Sequence, residues 1–222
     1  MPESTGTPES LFQRASDVER MRIGVLISGS GTNLQALIDA CAAGALDATV
    51  DVVISNKPDA FGLERARRAG IPAVAIDRAR YTTIAAYNAA ITELLQQHEV
   101  ELVVMAGYMR LLGQEVLGAF PGRVINLHPA LLPAFPGASA INEAFEYGVK
   151  VTGVTVHLAD EHFDRGPIIV QQPVRVAEDD TVDSLEARIH EVEHSLIVEA
   201  VGLFAEERLV LDGRRVHILP PR

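Results

Sequence analysis

The chain contains no tryptophan, a single cysteine and few aromatic residues, 5% of its 222 positions. One cysteine, Cys41, permits no internal disulfide and no cysteine-based metal cluster. It falls on an apolar helical pattern with Leu34, Leu37 and Ile38, which reads as core packing rather than as a reactive thiol. Positive charge is short as well: 19 Lys and Arg stand against 30 Asp and Glu, a formal net charge of −11. That balance excludes the basic stripe of a nucleic-acid surface, yet leaves room for a local loop that binds an anionic small molecule. No apolar run reaches the roughly 18 residues of a membrane span. Residues 1–20 are rich in Pro, Glu, Ser and Thr and lack the apolar stretch of a signal peptide. They read as a disordered leader, with the fold beginning near Met21. The composition suits a reducing cytoplasm.

What remains is an ordinary globular chain, 48% hydrophobic and 22% charged. Its length suits one α/β domain that buries roughly 70% of the unfolded surface. The spacing predicts a strand over Arg22–Ile27, a helix over Asn33–Ala43, a strand over Thr49–Ser55 and a helix over Phe61–Ala69. A short strand at Pro72–Ile76 precedes an amphipathic helix over Thr82–His98. Glu101–Ala106 is almost wholly apolar, as expected of a strand covered on both faces. A short helix near Gln114–Phe120 leads to a strand at Val124–His128. Strands separated by helices imply right-handed crossovers and a parallel, doubly wound sheet. Further on, Ser139–Tyr147 is helical, and Val151–Leu158 and Ile168–Val176 form an antiparallel extension. A long helix follows over Val182–Glu206, and then a terminal hairpin, Leu209–Leu211 with Arg215–Ile218.

Chemistry concentrates in a few places. In Val124-Ile-Asn-Leu-His-Pro129, alternation sets Asn126 beside His128 while Leu127 faces the opposite layer. Pro129 ends the strand, so the pair lies at its C-terminal edge, where parallel sheets bind ligands. A neutral donor beside a titratable one suits a reaction that develops an oxyanion. The same two residues also suit the capping of a loop. Ser28-Gly-Ser-Gly-Thr-Asn33 joins a strand to a helix N-terminus, a seat for one phosphate or a tight turn capped by Thr32 or Asn33. A dinucleotide loop fits less well, because Leu34 stands at the third glycine position. Thr155 and His157 share one strand face, so His157 lines the same cleft or sits solvated at an edge. Asp164 precedes Gly166-Pro167 in a rigid loop and serves as a turn former or as a carboxylate that orients His128.

Taken in order, Ile27-Ser-Gly-Ser-Gly-Thr-Asn-Leu-Gln35, Ser55-Asn-Lys57, Ala60-Phe-Gly-Leu-Glu-Arg-Ala66, Ala106-Gly-Tyr-Met-Arg110, Asn126-Leu-His-Pro129 with Leu131-Leu-Pro133, and Asp164-Arg-Gly-Pro167 resemble a known family. It is the folate-dependent phosphoribosylglycinamide formyltransferases of purine synthesis, and the likeness spans about residues 21–212. The resemblance implies a single formyltransferase-like, Rossmann-related α/β domain over residues 21–222. Its N-terminal half binds phosphate, and its C-terminal half holds folate and the catalytic residues. The implied reaction moves a formyl group from 10-formyltetrahydrofolate to the amine of glycinamide ribonucleotide through a tetrahedral intermediate, without a metal. By the same resemblance, Asn126, His128 and Asp164 are catalytic, and Gly31, Thr32, Asn33 and Glu193 bind the ribonucleotide. Met109, Arg110, Leu111, Leu112 and Asp160 border the folate. The partners are these small molecules, with no nucleic acid and no membrane, and the enzyme is a monomer or homodimer. From the local pattern alone, Glu193 reads as a solvated helix residue.

Two positions depart from the family: Ser139 stands where many members carry histidine, and Ile84 where some carry a basic residue. Related enzymes fit less well. A methionyl-tRNA formyltransferase is expected to carry a further RNA-binding domain, and a formyltetrahydrofolate hydrolase an N-terminal regulatory one. A non-catalytic binding module leaves the conjunction of Asn126, His128 and Asp164 unexplained.

Overall fold

The computed structural model describes residues 9–10 and 20–221. Apart from Glu9, Ser10 and Arg20, the expected disordered leader of residues 1–20 lies outside the described residues. The elements run β1 (Glu9–Ser10), β2 (Met21–Ile27), α1 (Thr32–Ala42), β3 (Ala48–Ser55), α2 (Phe61–Arg68), β4 (Ala73–Ala75), α3 (Ile84–Gln97), β5 (Leu102–Met105), α4 (Gln114–Leu117) and β6 (Val124–His128). They continue with α5 (Ala140–Tyr147), β7 (Val151–Leu158), β8 (Ile168–Arg175), α6 (Val182–Ala205), β9 (Leu209–Asp212) and β10 (Arg215–Ile218).

Seven strands form one sheet in the order β4-β3-β2-β5-β6-β7-β8. Neighbours from β4 to β6 pair in parallel, and β7 and β8 extend the sheet antiparallel. Alternation explains why the central strands read as continuous apolar runs. On β5, Leu102 and Val104 enter the core shared with α1, α2 and α6, while Val103 and Met105 enter the core under α3 and α4. Each fully buried aliphatic side chain contributes roughly 1.5–3 kcal/mol, so covering both faces is what holds the sheet. Cys41 packs in the first of these cores, where burial pushes its thiol up from the ordinary value.

The element ends differ from the sequence reading in informative ways. The expected helix over Thr82–His98 starts at Ile84 because the Thr83 side chain accepts the Ala86 N–H and caps it, after a 3-10 turn over Arg78–Arg80. The helix expected up to Phe120 is a single turn, α4. The C-terminal hairpin does not join the main sheet. Instead, β9 pairs with β10 and with β1 in a small separate sheet, so Glu9–Ser10 carry structure that their composition does not signal.

The long helix α6 opens with a capping box in which Thr181 and Ser184 exchange backbone and side-chain bonds. Arg188, 2.7 Å from Asp180, and the Ala177 N–H hold that carboxyl well below its usual range. These contacts fix where the face carrying Glu186, His190 and Glu193 points.

Candidate active site

At the C-terminal edge of the parallel strands, the β6–β7 pairing assembles a polar patch. Ile125 and Leu127 enter the core under α1 and α6, so Asn126 and His128 occupy the other face. Antiparallel register sets Asn126 opposite His157 and His128 opposite Thr155. The Thr155 hydroxyl donates to the Ala130 carbonyl at 2.6 Å and accepts the Leu132 N–H at 3.1 Å, fixing the turn after Pro129. His157 Nδ1 lies 2.8 Å from the Leu158 carbonyl, which can only accept, so this nitrogen carries a proton. The ring's Nε2 lies 3.1 Å from the Asn126 amide nitrogen and 3.6 Å from Asp164 Oδ1. A β-bulge between Val156 and His157 re-aims the strand at this point.

Asp164 arrives from the β7–β8 loop. Its Oδ1 accepts from Asn126 Nδ2 at 3.2 Å, and its Oδ2 accepts the Gly137 N–H at 2.8 Å and lies 3.5 Å from His128 Nδ1. His128 Nε2 is 2.7 Å from the Phe135 carbonyl. Both ring nitrogens of His128 therefore face groups that only accept, an arrangement that both protons satisfy. Burial pushes the Asp164 carboxyl up, but the His157 hydrogen bond, the Gly137 N–H and the nearby imidazoles outweigh it and hold the group below its ordinary value. The loop reaches this position because Gly166 folds back onto β7, where an added Cβ would lie 1.6 Å from the Leu158 carbonyl oxygen.

Gly166→Ala must therefore displace the loop. Overpacking of this kind costs about 1–3 kcal/mol, which for a chain of this size lowers Tm by roughly 2–12 °C. The turnover of the folded variant is expected to fall with it, as measured by thermal melting and kcat together. Unchanged kcat in that variant would uncouple the loop backbone from the carboxylate.

The glycine turn forms one wall of a cleft of about 430 Å³. Gly31 caps α1 in the left-handed region, with φ 71°, and no side chain caps the helix, so the capped-turn reading with Thr32 or Asn33 does not hold. A Cβ on Gly31 would lie 2.7 Å from Gly62 Cα, so the turn and α2 approach backbone to backbone. Asn33 is buried; its amide donates to Glu193 Oε2 at 3.1 Å, while its own Oδ1 has no partner. An orphaned buried oxygen beside uncapped helix N–H groups suits a ligand there. Glu193, the expected solvated residue, is 5% exposed and lines this cleft. Ser139 and Lys57 line it too.

A second groove, of about 620 Å³, runs past Met109, Arg110, Leu111 and Leu112, with Phe163, Tyr87, Arg78 and Ile84 around it. Met109 and Phe163 are largely exposed, the kind of apolar surface that marks a binding groove. Leu112 is buried and forms its floor. The groove continues to Asn126, His157, Asp160 and Asp164. Asp160 accepts the His162 N–H at 2.8 Å and so also shapes its own loop. The Met109 N–H donates to Ser28 Oγ at 2.9 Å, tying the groove to the glycine turn. The structure thus groups Asn126, His128 and Asp164 in one cluster, Gly31, Thr32, Asn33 and Glu193 around one cleft, and Met109–Leu112 with Asp160 along one groove.

Sequence reasoning left Lys57 and the Phe135 carbonyl out, and left His157 open between cleft and solvent. The period-2 pattern that found His128 also pointed at His157, but nothing local marks Phe135. Among the described residues, no group of three or more His, Cys, Asp and Glu side chains is placed to hold a metal ion. No helix among them is long and apolar enough to cross a membrane.

Residues 21–201 match the family described as Formyl transferase. A phosphoribosylglycinamide formyltransferase of Bacillus subtilis is 44% identical over 186 residues, 82% of this chain and 95% of that protein. A trifunctional purine biosynthetic protein adenosine-3 of Chironomus tentans is 43% identical over 204 residues, 91% of this chain but 15% of that protein. The crystal structure of glycinamide ribonucleotide transformylase 1 from Symbiobacterium toebii has a TM-score of 0.90 at 53% identity, covering 96% of this chain and 100% of that one.

Proposed function

The chain belongs to the formyl transferase family, and on that premise we propose that it transfers the formyl group of 10-formyltetrahydrofolate to the amine of glycinamide ribonucleotide in purine synthesis. The observation that carries the reading is the convergence of Asn126, His128 and Asp164, with Asn126 and Asp164 lining the end of the apolar groove and Leu127 and Pro129 of the same segment lining the phosphate-type cleft. The cleft offers uncapped N–H groups at Gly31–Asn33 for the phosphate and the Glu193 carboxylate for the ribose. The groove offers Met109, Leu111 and Phe163 as apolar walls for the folate, with Arg110 and Asp160 at its edges.

The amine nitrogen of the ribonucleotide attacks the formyl carbon, and the carbonyl oxygen takes up the electron pair. Asn126 Nδ2 donates to that oxygen, and protonated His128 adds positive charge beside it. The C–N10 bond then breaks, and the proton lost by the attacking amine passes to N10 of the departing tetrahydrofolate. Asp164 stabilises the imidazolium through this exchange and accepts the proton in transit, directly or through water. The reading includes a monomeric or homodimeric enzyme of the cytoplasm that uses no metal, and the buried free thiol of Cys41 is consistent with a reducing compartment.

The test is an assay of the purified chain with 10-formyltetrahydrofolate, with and without glycinamide ribonucleotide. Formylated ribonucleotide and tetrahydrofolate should appear in equal amounts and only when both substrates are present. Release of formate irrespective of ribonucleotide would instead indicate a hydrolase, and binding without turnover a non-catalytic module.

A further inference from the structure

Glu186, His190 and Glu193 follow one another at helical spacing along α6, and all three line the cleft that holds Asn33. His190 Nδ1 lies 2.7 Å from Glu193 Oε2, and its Nε2 lies 3.5 Å from Glu186 Oε1. Asn33 Nδ2 donates to the same Oε2 at 3.1 Å, so this oxygen is held from two sides. Among the described residues no hydrogen bond reaches Glu193 Oε1. The carboxylate is buried while 41% of the imidazole remains exposed at the cleft mouth. One oxygen is anchored, and the other is left for a ligand hydroxyl.

Two carboxylates on the wall of a cleft that takes a phosphate are electrostatically adverse unless a cation offsets them. The charged groups lining the cleft are Glu186 and Glu193 from α6 and Lys57 from the turn after β3, with His190 as the titratable one. From the other elements packed there, α1 brings Asn33 and α5 brings Ile141 and Asn142, none of them charged.

We propose that His190 is a positioning residue for ribose recognition: its imidazolium bridges Glu186 and Glu193, fixes the Glu193 carboxylate with Oε1 toward the ribose hydroxyls, and neutralises the acidic wall beside the phosphate. This deepens the functional reading above and rests on it. The hydrogen bond to Glu193 pushes the imidazole's pKa up; burial opposes this, and the charges of Glu193 and Glu186 add to it. The cation thus outlasts the ordinary histidine value of about 6.5 and is lost as pH rises through the raised one. Ribonucleotide binding should be fully supported below that value and weaken above it.

The experiment is calorimetric titration of glycinamide ribonucleotide, without folate, into wild type, His190→Gln and His190→Ala between about pH 6 and 9. Wild-type Kd is expected to rise by about tenfold across the window, the scale of one charge-assisted hydrogen bond. His190→Ala should be weaker by about that factor at the acid end and converge with wild type at the alkaline end. His190→Gln keeps a donor for Glu193 but cannot titrate, so its curve should show only the titration of the substrate's own phosphate and amine, common to all three proteins. In turnover, the change should fall on the ribonucleotide KM and leave kcat at saturation and the folate KM much less affected. A wild-type pH step preserved in His190→Gln, or a change confined to the folate KM, would overturn the role of His190. Failure of the wild type to bind or formylate the ribonucleotide at any pH would overturn the functional reading itself, and with it this one.

Discussion

Asp164→Asn is expected to lower kcat by about a hundred- to ten-thousandfold, the range for losing positioned acid–base help, while ribonucleotide Kd changes little. The contacts explain why so small a change matters. Asp164 Oδ1 accepts from Asn126 Nδ2, and Oδ2 accepts the Gly137 N–H and faces His128 Nδ1. An amide presents one acceptor and one donor, so in either orientation an NH₂ group meets another donor. The negative charge 3.5 Å from His128 Nδ1 is lost as well. His128→Ala should give a loss of similar size, because a carboxylate with no imidazolium to stabilise has lost its role. Groups acting as a unit are strongly non-additive, so the double variant should be little worse than the more damaged single one. Because its surroundings hold Asp164 below the ordinary carboxylate range, it stays ionised as pH falls through mildly acid values. An acid limb of kcat near neutrality must therefore belong to another group. Single-turnover kinetics at saturating substrates measure all of this, and near-normal turnover by either folded single variant would reject the assignment.

The residues differ sharply in how far the sequence disclosed them. The apolar runs of β2 and β5 and the Asn126–His128 pair are local, two-residue-period signals, and the structure repeats them on the faces the alternation requires. Asp164 is a different case. It lies 38 residues from Asn126 along the chain, in a loop whose composition suits any turn. Only the β6–β7 register and the fold-back at Gly166 bring it home, and neither is a local property. The loop pattern left it open between a turn former and a carboxylate that orients His128, and the family resemblance named it catalytic. Glu193 is equally opaque. Flanked by Glu191 and His194 it looks solvated, yet the packing of α1 against α6 buries it on Asn33. Chain ends and caps misled for a simpler reason. Thr82 and Thr83 are equivalent candidates to begin α3, and only the bond from Ala86 selects Thr83. The pairing of Glu9–Ser10 with β9 has its partner some two hundred residues away, beyond any local pattern.

Asn126→Ala is expected to reduce kcat by about a hundred- to a thousandfold, the loss typical of removing one oxyanion donor. The amide is already engaged before substrate arrives. Its Nδ2 donates to Asp164 Oδ1 at 3.2 Å and lies 3.1 Å from His157 Nε2. To donate to the developing oxyanion, Asn126 keeps its bond to the charged Asp164 and turns away the N–H on the His157 side. Asn126 then stays anchored to the carboxylate through one proton and offers the other to the formyl oxygen. Asn126→Asp sharpens the test. It keeps the shape, removes both donors, and sets a second carboxylate against Asp164, which raises the carboxyl that the site works to keep low. Turnover of this variant should be no better than that of Asn126→Ala, and its residual kcat should improve as pH falls and one of the two carboxyls takes a proton. If Asn126→Asp instead kept kcat within about tenfold of wild type, stabilisation of the oxyanion would have to come from His128 alone, and the amide would be a structural link between β6 and the Asp164 loop.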